Sequence, residues 1–360
     1  MTDHAEAHPT VDPDVETVLV REFPGREVTD LASPETGNRK QTVLVTFADE
    51  GRVVVQLAPL PVVQTEAVLT RLIGHRTSLP VPRVRAVGAI DDRGYVVTDA
   101  VAGEDLHTRF TALPSDRQQA ICRTFGRGLA QLHDLRRFTG YGPVEFVGDW
   151  DAFVAGVRRG DVAATPDSVT VTAASAAPDT AGLPGRTSTA DWHTWLRGYA
   201  DAARRALPGE FDDLRDRLAA AIGDGIDAGR VPAAPASRLF PWDLRPGNAL
   251  VDGERLTAIL DWGEPLAGDP ALSVAKAEHL LVDWYVDPPA SADLRRAFRD
   301  GYESVRPLPA VPTAYRVLAV VAAAVDSAGV VTRPRYPELT GGDAVAFHRE
   351  RLSAALDEDL

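Results

Sequence analysis

A chain of 360 residues with 44% hydrophobic and 25% charged residues holds enough apolar material for a sizeable core, in one large domain or two ordinary ones. Its formal net charge of -14 repels nucleic acid and anionic membranes, so neither is an expected partner. A single cysteine, Cys122, excludes an internal disulfide and a cysteine-based zinc site. Residues 1–12 are polar and acidic, lack a signal-peptide pattern and read as a mobile tail. Strand signals follow. The β-branched runs 43–47 and 53–57 flank the turn 48–51 and predict a hairpin. Residues 64–73 have helical spacing, with Val68, Leu69 and Leu72 on one face. A second strand pair, 84–90 and 95–98, closes a small α+β unit.

Beyond Gly103 the pattern turns helical. Ile121, Phe125, Leu129, Leu132 and Leu135 form an apolar stripe that predicts a long helix over 117–135. Further helices are predicted at 191–207, 210–226, 270–286, 292–305 and 313–327. Residues 156–190 contain no aromatic residue and are rich in small, polar and turn-forming residues. They read as an insertion or long loop, with a short strand at 168–172. The apolar stretch 314–331 carries Arg316 and Asp326 and reads as a buried helix, not a membrane span. The expected location is the cytoplasm. Lys40 and Lys276 are the only lysines, a bias that fits either salt adaptation or GC-rich coding.

The chemistry concentrates in 240–251, FPWDLRPGNALV. Asp243 and Asn248 have the D-x4-N spacing of a kinase catalytic loop, and Asp261 follows thirteen residues after Asn248. Phosphoryl transfer needs a carboxylate for the attacking hydroxyl and hard oxygen ligands for Mg²⁺, held on a rigid turn. Two short strands, 249–251 and 256–260, would return the chain and bring Asp261 near Asn248. Amide oxygen plus carboxylate suits Mg²⁺. D-x-R-P-G-N is also good chemistry for a plain turn, which is the other reading.

The segment 239–271 resembles the catalytic region of the aminoglycoside phosphotransferase family, H-G-D-x4-N followed by I-D-W-E and G-D-P. The matching residues here are Asp243, Asn248, the run from Leu260 to Gly263, and Gly268-Asp269-Pro270. PVPRV at 80–84, YVVTDAVAGE at 95–104, LAQLH at 129–133 and FRDGY at 298–302 extend the likeness over roughly 20–302. The resemblance implies an α+β, protein-kinase-like two-lobed fold. A small β-rich N-terminal lobe would span 13–100 and a larger, mainly helical C-terminal lobe 101–360. It also implies ATP or another nucleoside triphosphate in the cleft, with adenine against the backbone near Asp99 to Val101. Asp243 would be the catalytic base, Asn248 and Asp261 would bind Mg²⁺, and the acceptor would be a hydroxyl of a small molecule. Gly37, Asn38 and Lys40 fall in the segment matching the family's phosphate-covering loop.

Two departures stand out. Pro241-Trp242 replaces His-Gly before the catalytic aspartate, so another group must brace the turn, which Trp242 could do by packing, and the backbone at Trp242 must avoid positive φ. Gln56 stands where the family carries a strand lysine that meets the phosphates, although the helix partner Glu66 is present. If Gln56 faces the cleft, Glu66 has no ion-pair mate on that strand. Lys40 or Arg39 is the candidate substitute; the bland reading is a solvated loop lysine. Without a substitute the fold would be a pseudokinase-like module that binds a nucleotide or metabolite. A weaker alternative is an α+β hydrolase with Asp243 and Asp261 as metal ligands.

Other polar residues read as structural. Asp269 caps a helix that starts at Pro270. His133 bonds a carbonyl at a helix end. Trp192, Trp195 and Tyr199 form a packed helix face. Glu278, His279 and Asp283 form either a solvated face or a contact for a cationic acceptor.

Overall fold

The structure is a computed structural model that describes residues 12–33, 40–161, 164–172 and 187–357. The residues called Gly37, Asn38 and Arg39, nearly all of the tail and part of 156–190 lie outside the described residues.

Helix α1 (Pro13–Glu22) opens the chain, where the sequence reading placed no element. Asp12 caps it by accepting from the Asp14 N–H, with Pro13 at the first position, a start signal legible in the sequence. Then come β1 (Val28–Ala32), β2 (Gln41–Phe47), β3 (Arg52–Pro59), α2 (Leu60–Arg76), β4 (Val84–Ile90) and β5 (Arg93–Asp99). The strands form one antiparallel sheet in the order β1-β2-β3-β5-β4. Strand alternation decides its two faces. Val43, Val45, Val53, Val55 and Leu57 cluster with Val15, Val18 and Leu19 of α1. Ala58, Val84, Val87 and Val96 join Val63, Ala67 and Val68 of α2 on the other side. Thr42 pairs with Gln56 in register, so both lie on the α2 face.

Next follow β6 (Glu104–Asp105), α3 (Leu106–Arg109), α4 (Ser115–Leu135), β7 (Gly142–Phe146), α5 (Trp150–Arg159), β8 (Val169–Val171), α6 (Trp192–Ala206) and α7 (Arg215–Asp227). The chain ends through β9 (Arg238–Phe240), β10 (Ala249–Asp252), β11 (Arg255–Ile259), β12 (Leu266–Gly268), α8 (Pro270–Glu278), α9 (Ala290–Glu303), α10 (Thr313–Val321) and α11 (Gly341–Asp357). Two small sheets, β11-β10-β6 and β8-β7-β12-β9, support the loops between them. A β-rich N-terminal region thus precedes a mainly helical C-terminal region. Among the described residues, no helix is long and apolar enough to cross a membrane.

Helices α4 and α9 meet backbone to backbone. A Cβ on Gly126 would sit 1.9 Å from the Phe298 carbonyl oxygen, and one on Gly301 would sit 2.2 Å from that of Arg123. Only glycine permits this approach. The predicted helix 313–327 stops at Val321. Beyond it, Asp326 turns the chain by accepting from the Ala328 and Val330 N–H groups at 2.8 and 2.9 Å. The predicted 270–286 helix is α8 followed by a π-helical turn over His279–Asp283.

Trp192, Trp195 and Tyr199 stack face to face, with ring centroids 5.1 and 5.0 Å apart. Asp269 caps α8, accepting from Ala271 N–H at 2.9 Å and from the Tyr315 hydroxyl at 2.8 Å. His133 departs in detail from its reading. Its ring meets the Tyr302 hydroxyl at 2.7 Å and Ser273 Oγ at 3.2 Å, not a carbonyl. Glu278, His279 and Asp283 need a larger correction. Helix α8 is buried along its whole length, and Glu278 at its end and His279 just after it are 2% and 3% exposed, so neither lies on a solvated face. Glu278 holds Arg299 at 2.6 Å and Asp283 pairs with Arg295, a buried ion-pair cluster that ties α9 to this segment.

Candidate active site

The loop after β9 is built from the inside outwards. Leu244 is buried and anchors it. Asn248 donates from Nδ2 to the Asp243 carbonyl at 2.9 Å, and its own N–H reaches the Arg245 carbonyl at 3.1 Å, closing a 3₁₀ turn over Pro246–Asn248. Trp242 is not among the residues with positive φ. It packs edge-on against Tyr199 at 5.6 Å and lies under the Lys276 ammonium, 3.7 Å from its ring centroid. These contacts brace the turn beside Asp243.

The β10–β11 hairpin then returns the chain, with Ala249 opposite Ile259. Leu260 N–H donates to the Asn248 carbonyl at 2.7 Å, which sets the next residue, Asp261, beside the loop. Asp261 adopts φ 64°, a left-handed conformation that aspartate tolerates better than most residues. Asp243 and Asp261 line one cavity of about 620 Å³. Asn248 is tethered to both segments but does not line that cavity.

The ion pair of Glu66 comes from outside β3. Lys40, just before β2, donates to Glu66 Oε1 and to Asp261 Oδ1, each at 2.7 Å. Burial works against its charge, but the two carboxylates outweigh burial and raise its pKa. Gln56 instead reaches Thr42 Oγ1 at 3.4 Å. A Cβ on Gly263 would lie 3.1 Å from Lys40 Nζ, so the glycine in D-W-G leaves room for the lysine. Asp99 pairs with Arg85 through its side chain, and its N–H donates to the Arg83 carbonyl at 3.0 Å. The Ala100 N–H is taken by Arg52 O at 3.2 Å, whereas the Val101 N–H has no partner among the described residues.

Sequence reasoning missed three cations on the cavity wall: Arg205, Arg245 and Lys276. Lys276 carried a legible signal, being one of two lysines and set in the apolar run ALSVAKA. It is 2% exposed, and burial lowers its pKa to about 8, with Asp243 opposing the shift and Arg245 adding to it.

The cavity rim has a pH-sensitive anchor. His348 of α11 is fully buried and meets Thr332, a rim residue, at 3.0 Å through Oγ1 and 3.2 Å through the carbonyl. Burial lowers its pKa to about 4. The unfolded chain therefore binds a proton here below its ordinary pKa of ~6.5, while the folded chain does not. Stability from this site is full above ~6.5, falls as pH drops and levels off below about 4. The total loss is on the order of 3 kcal/mol. Melting temperature measured from pH 7 to pH 4 should fall less steeply in His348→Gln than in the parent.

A sheet with one crossing helix, a loop and a hairpin that set Asp243 and Asp261 on one cavity wall, and a lysine bridging the two parts together define a kinase-like phosphotransferase fold. Residues 30–308 match the phosphotransferase enzyme family, and the chain belongs to that family. Among solved structures it is similar to aminoglycoside phosphotransferase APH(4)-Ia, with 17% identity over 95% of this chain and 97% of that one and a TM-score of 0.56. A thermostable mutant of that enzyme in ternary complex with AMP-PNP and hygromycin B is similar to the same degree, at 17% identity, 95% and 98% coverage and a TM-score of 0.57. The GDP and kanamycin complex of APH(2")-IIia matches at 15% identity over 97% and 100% of the two chains, with a TM-score of 0.55. These likenesses show the fold. No curated protein matches by sequence.

Proposed function

We propose that this chain moves the terminal phosphoryl group of ATP, or another nucleoside triphosphate, onto a hydroxyl of a small molecule. The observation that carries this reading is the Lys40 bridge between Glu66 and Asp261, with Asp261 and Asp243 on the wall of one cavity. The solved relatives hold AMP-PNP, GDP, hygromycin B and kanamycin, which fits a nucleotide and a small acceptor here. In this reading, 13–100 covers the nucleotide and 101–360 carries the loop and the acceptor cavity.

Each residue has a chemical task. The Val101 N–H, without a partner among the described residues, suits an adenine acceptor nitrogen, beside Asp99. Lys40 gives the phosphates a full positive charge and Glu66 fixes its position, while Gln56 offers an amide on the same face. Asn248 uses Nδ2 on the Asp243 carbonyl and keeps Oδ1 for a metal; Asp261 uses Oδ1 on Lys40 and keeps Oδ2. This oxygen pair fits Mg²⁺, which binds through few protein ligands plus phosphates. Bound there, Mg²⁺ neutralises charge on the phosphoryl oxygens. Asp243 orients the acceptor hydroxyl and takes its proton.

The test uses AMP-PNP with and without Mg²⁺, read by thermal shift, and ADP release from ATP over a panel of hydroxyl compounds. A Mg²⁺-dependent shift of a few degrees together with acceptor-dependent ADP release is expected. A shift without transfer to any hydroxyl would move the chain to the nucleotide-binding module. No response to any nucleotide would remove both readings.

A further inference from the structure

Lys276 is anomalous for a structural residue. Its ammonium is nine-tenths or more buried, makes no hydrogen bond among the described residues and lines the cavity. Its nearest carboxylate oxygen, on Asp243, lies 3.8 Å away, an ion pair but beyond hydrogen-bond range. Buried charges ordinarily keep hydrogen-bonded partners. The three ammonium donors have none, and the open side is the cavity.

Lys276 is not alone there. Arg245 lines the same cavity, with its buried Nε unsatisfied and its guanidinium 3.8 Å from the other Asp243 oxygen. Arg205 of α6 adds a third cation, exposed and without a carboxylate partner among the described residues. The carboxylates are differently committed. Asp261 holds Lys40, Asp326 uses its Oδ1 on two backbone N–H groups of its own loop, Asp243 faces Lys276 and Arg245, and Glu264 lies on the same wall. A protein of net charge -14 has thus gathered three cations around the reacting hydroxyl's place, two of them sharing the single carboxylate of Asp243 without a hydrogen bond to it.

We propose that the acceptor is a hydroxy acid, whose carboxylate is received by Lys276 and Arg245, with Arg205 at the cavity mouth, while its hydroxyl meets Asp243. This rests on the phosphotransferase reading above. Hydrogen-bond lengths set the spacing. Because Asp243 and Lys276 lie 3.8 Å apart, one small acceptor can hydrogen-bond both, through oxygens as close together as roughly 3–5 Å. That separation matches a carboxylate one or two carbons from the hydroxyl carbon. Trp284, Leu280 and Val321 on the wall suit an apolar body beyond it. A phosphate monoester would add two charges beside a triphosphate, and a carboxylate adds one.

The experiment measures binding by calorimetry without nucleotide, and ADP release with ATP and Mg²⁺. The probes are 2- and 3-hydroxy acids including 3-phenyllactate, their primary amides, matching phosphate monoesters, and kanamycin. Acids should bind at least about tenfold tighter than their amides. Lys276→Met should erase that preference while the AMP-PNP thermal shift persists, which reports an intact fold. The exposed Arg205→Ala should weaken acids and leave amides unchanged. The proposal is overturned by the absence of any acid preferred over its amide, by preference for phosphate esters or kanamycin, or by an acid preference that survives both variants. Acid-selective binding with no transfer removes the kinase reading and, with it, the acceptor role, leaving only the carboxylate site at Lys276 and Arg245. Transfer to kanamycin alone does the reverse.

Discussion

Asp243→Asn should lower kcat by roughly 10²–10⁴-fold, the usual contribution of a positioned general base, with nucleotide affinity nearly unchanged. The asymmetry follows from where Asp243 sits. Its backbone carbonyl, not its carboxylate, holds Asn248, so an amide side chain leaves the loop's internal hydrogen bonds in place. Its carboxylate faces the cavity with Lys276 and Arg245 at 3.8 Å each. Removing the charge therefore strips the hydroxyl of its proton acceptor and leaves two cations without a counterion. Acceptor KM for a hydroxy acid should hold or fall, because the competing carboxylate is gone. Steady-state kinetics with the acceptor from the hydroxyl panel, alongside AMP-PNP binding, separates the two parameters. Equal turnover in parent and variant would sink Asp243 as the base.

Local pattern made the frame legible, and long-range contact made the rest invisible. The hairpins at 41–59 and 249–259 follow from alternation and turn residues, which act over a few positions. The D-x4-N loop and its return to Asp261 likewise need only a short hairpin. Helix α1 was missed because a ten-residue amphipathic segment after a polar tail resembles neither neighbour, although its Asp-Pro start was present. Glu278 and His279 were misjudged because helical spacing reports a polar residue, not whether three arginines from elsewhere surround it. Lys276 escaped for the same reason: its partner, Asp243, lies 33 positions earlier.

Lys40 shows how far a local reading can go before tertiary structure takes over. The sequence supplied the deficit at Gln56 and a candidate at Lys40, but only the fold brings Lys40 across 26 positions to Glu66 and 221 to Asp261. In the proposed reading, Lys40 supplies from before β2 the charge that Gln56 lacks on β3, and Gly263 leaves room beside its ammonium.

This predicts a large and divisible effect for Lys40→Met. The Glu66 side chain is only 7% exposed and that of Asp261 is 50% exposed, so the two arms of the bridge differ in weight. The exposed arm contributes ~0–1 kcal/mol. Losing Lys40 leaves Glu66 buried without its cation, a change that costs about 3–5 kcal/mol. Denaturant unfolding should therefore show most of the loss in Lys40→Met and recover it in Lys40→Met with Glu66→Gln, since the neutral amide removes the stranded charge. Nucleotide affinity should behave oppositely. It should be lost in Lys40→Met and stay lost in the double variant, because the phosphates need the positive charge itself. Lys40→Gln with Gln56→Lys should restore part of both, as position 56 shares the α2 face with Thr42 beside Lys40. An ATP affinity that Lys40→Met leaves unchanged would mean that the bridge serves the fold alone and that the phosphates draw their charge from another residue.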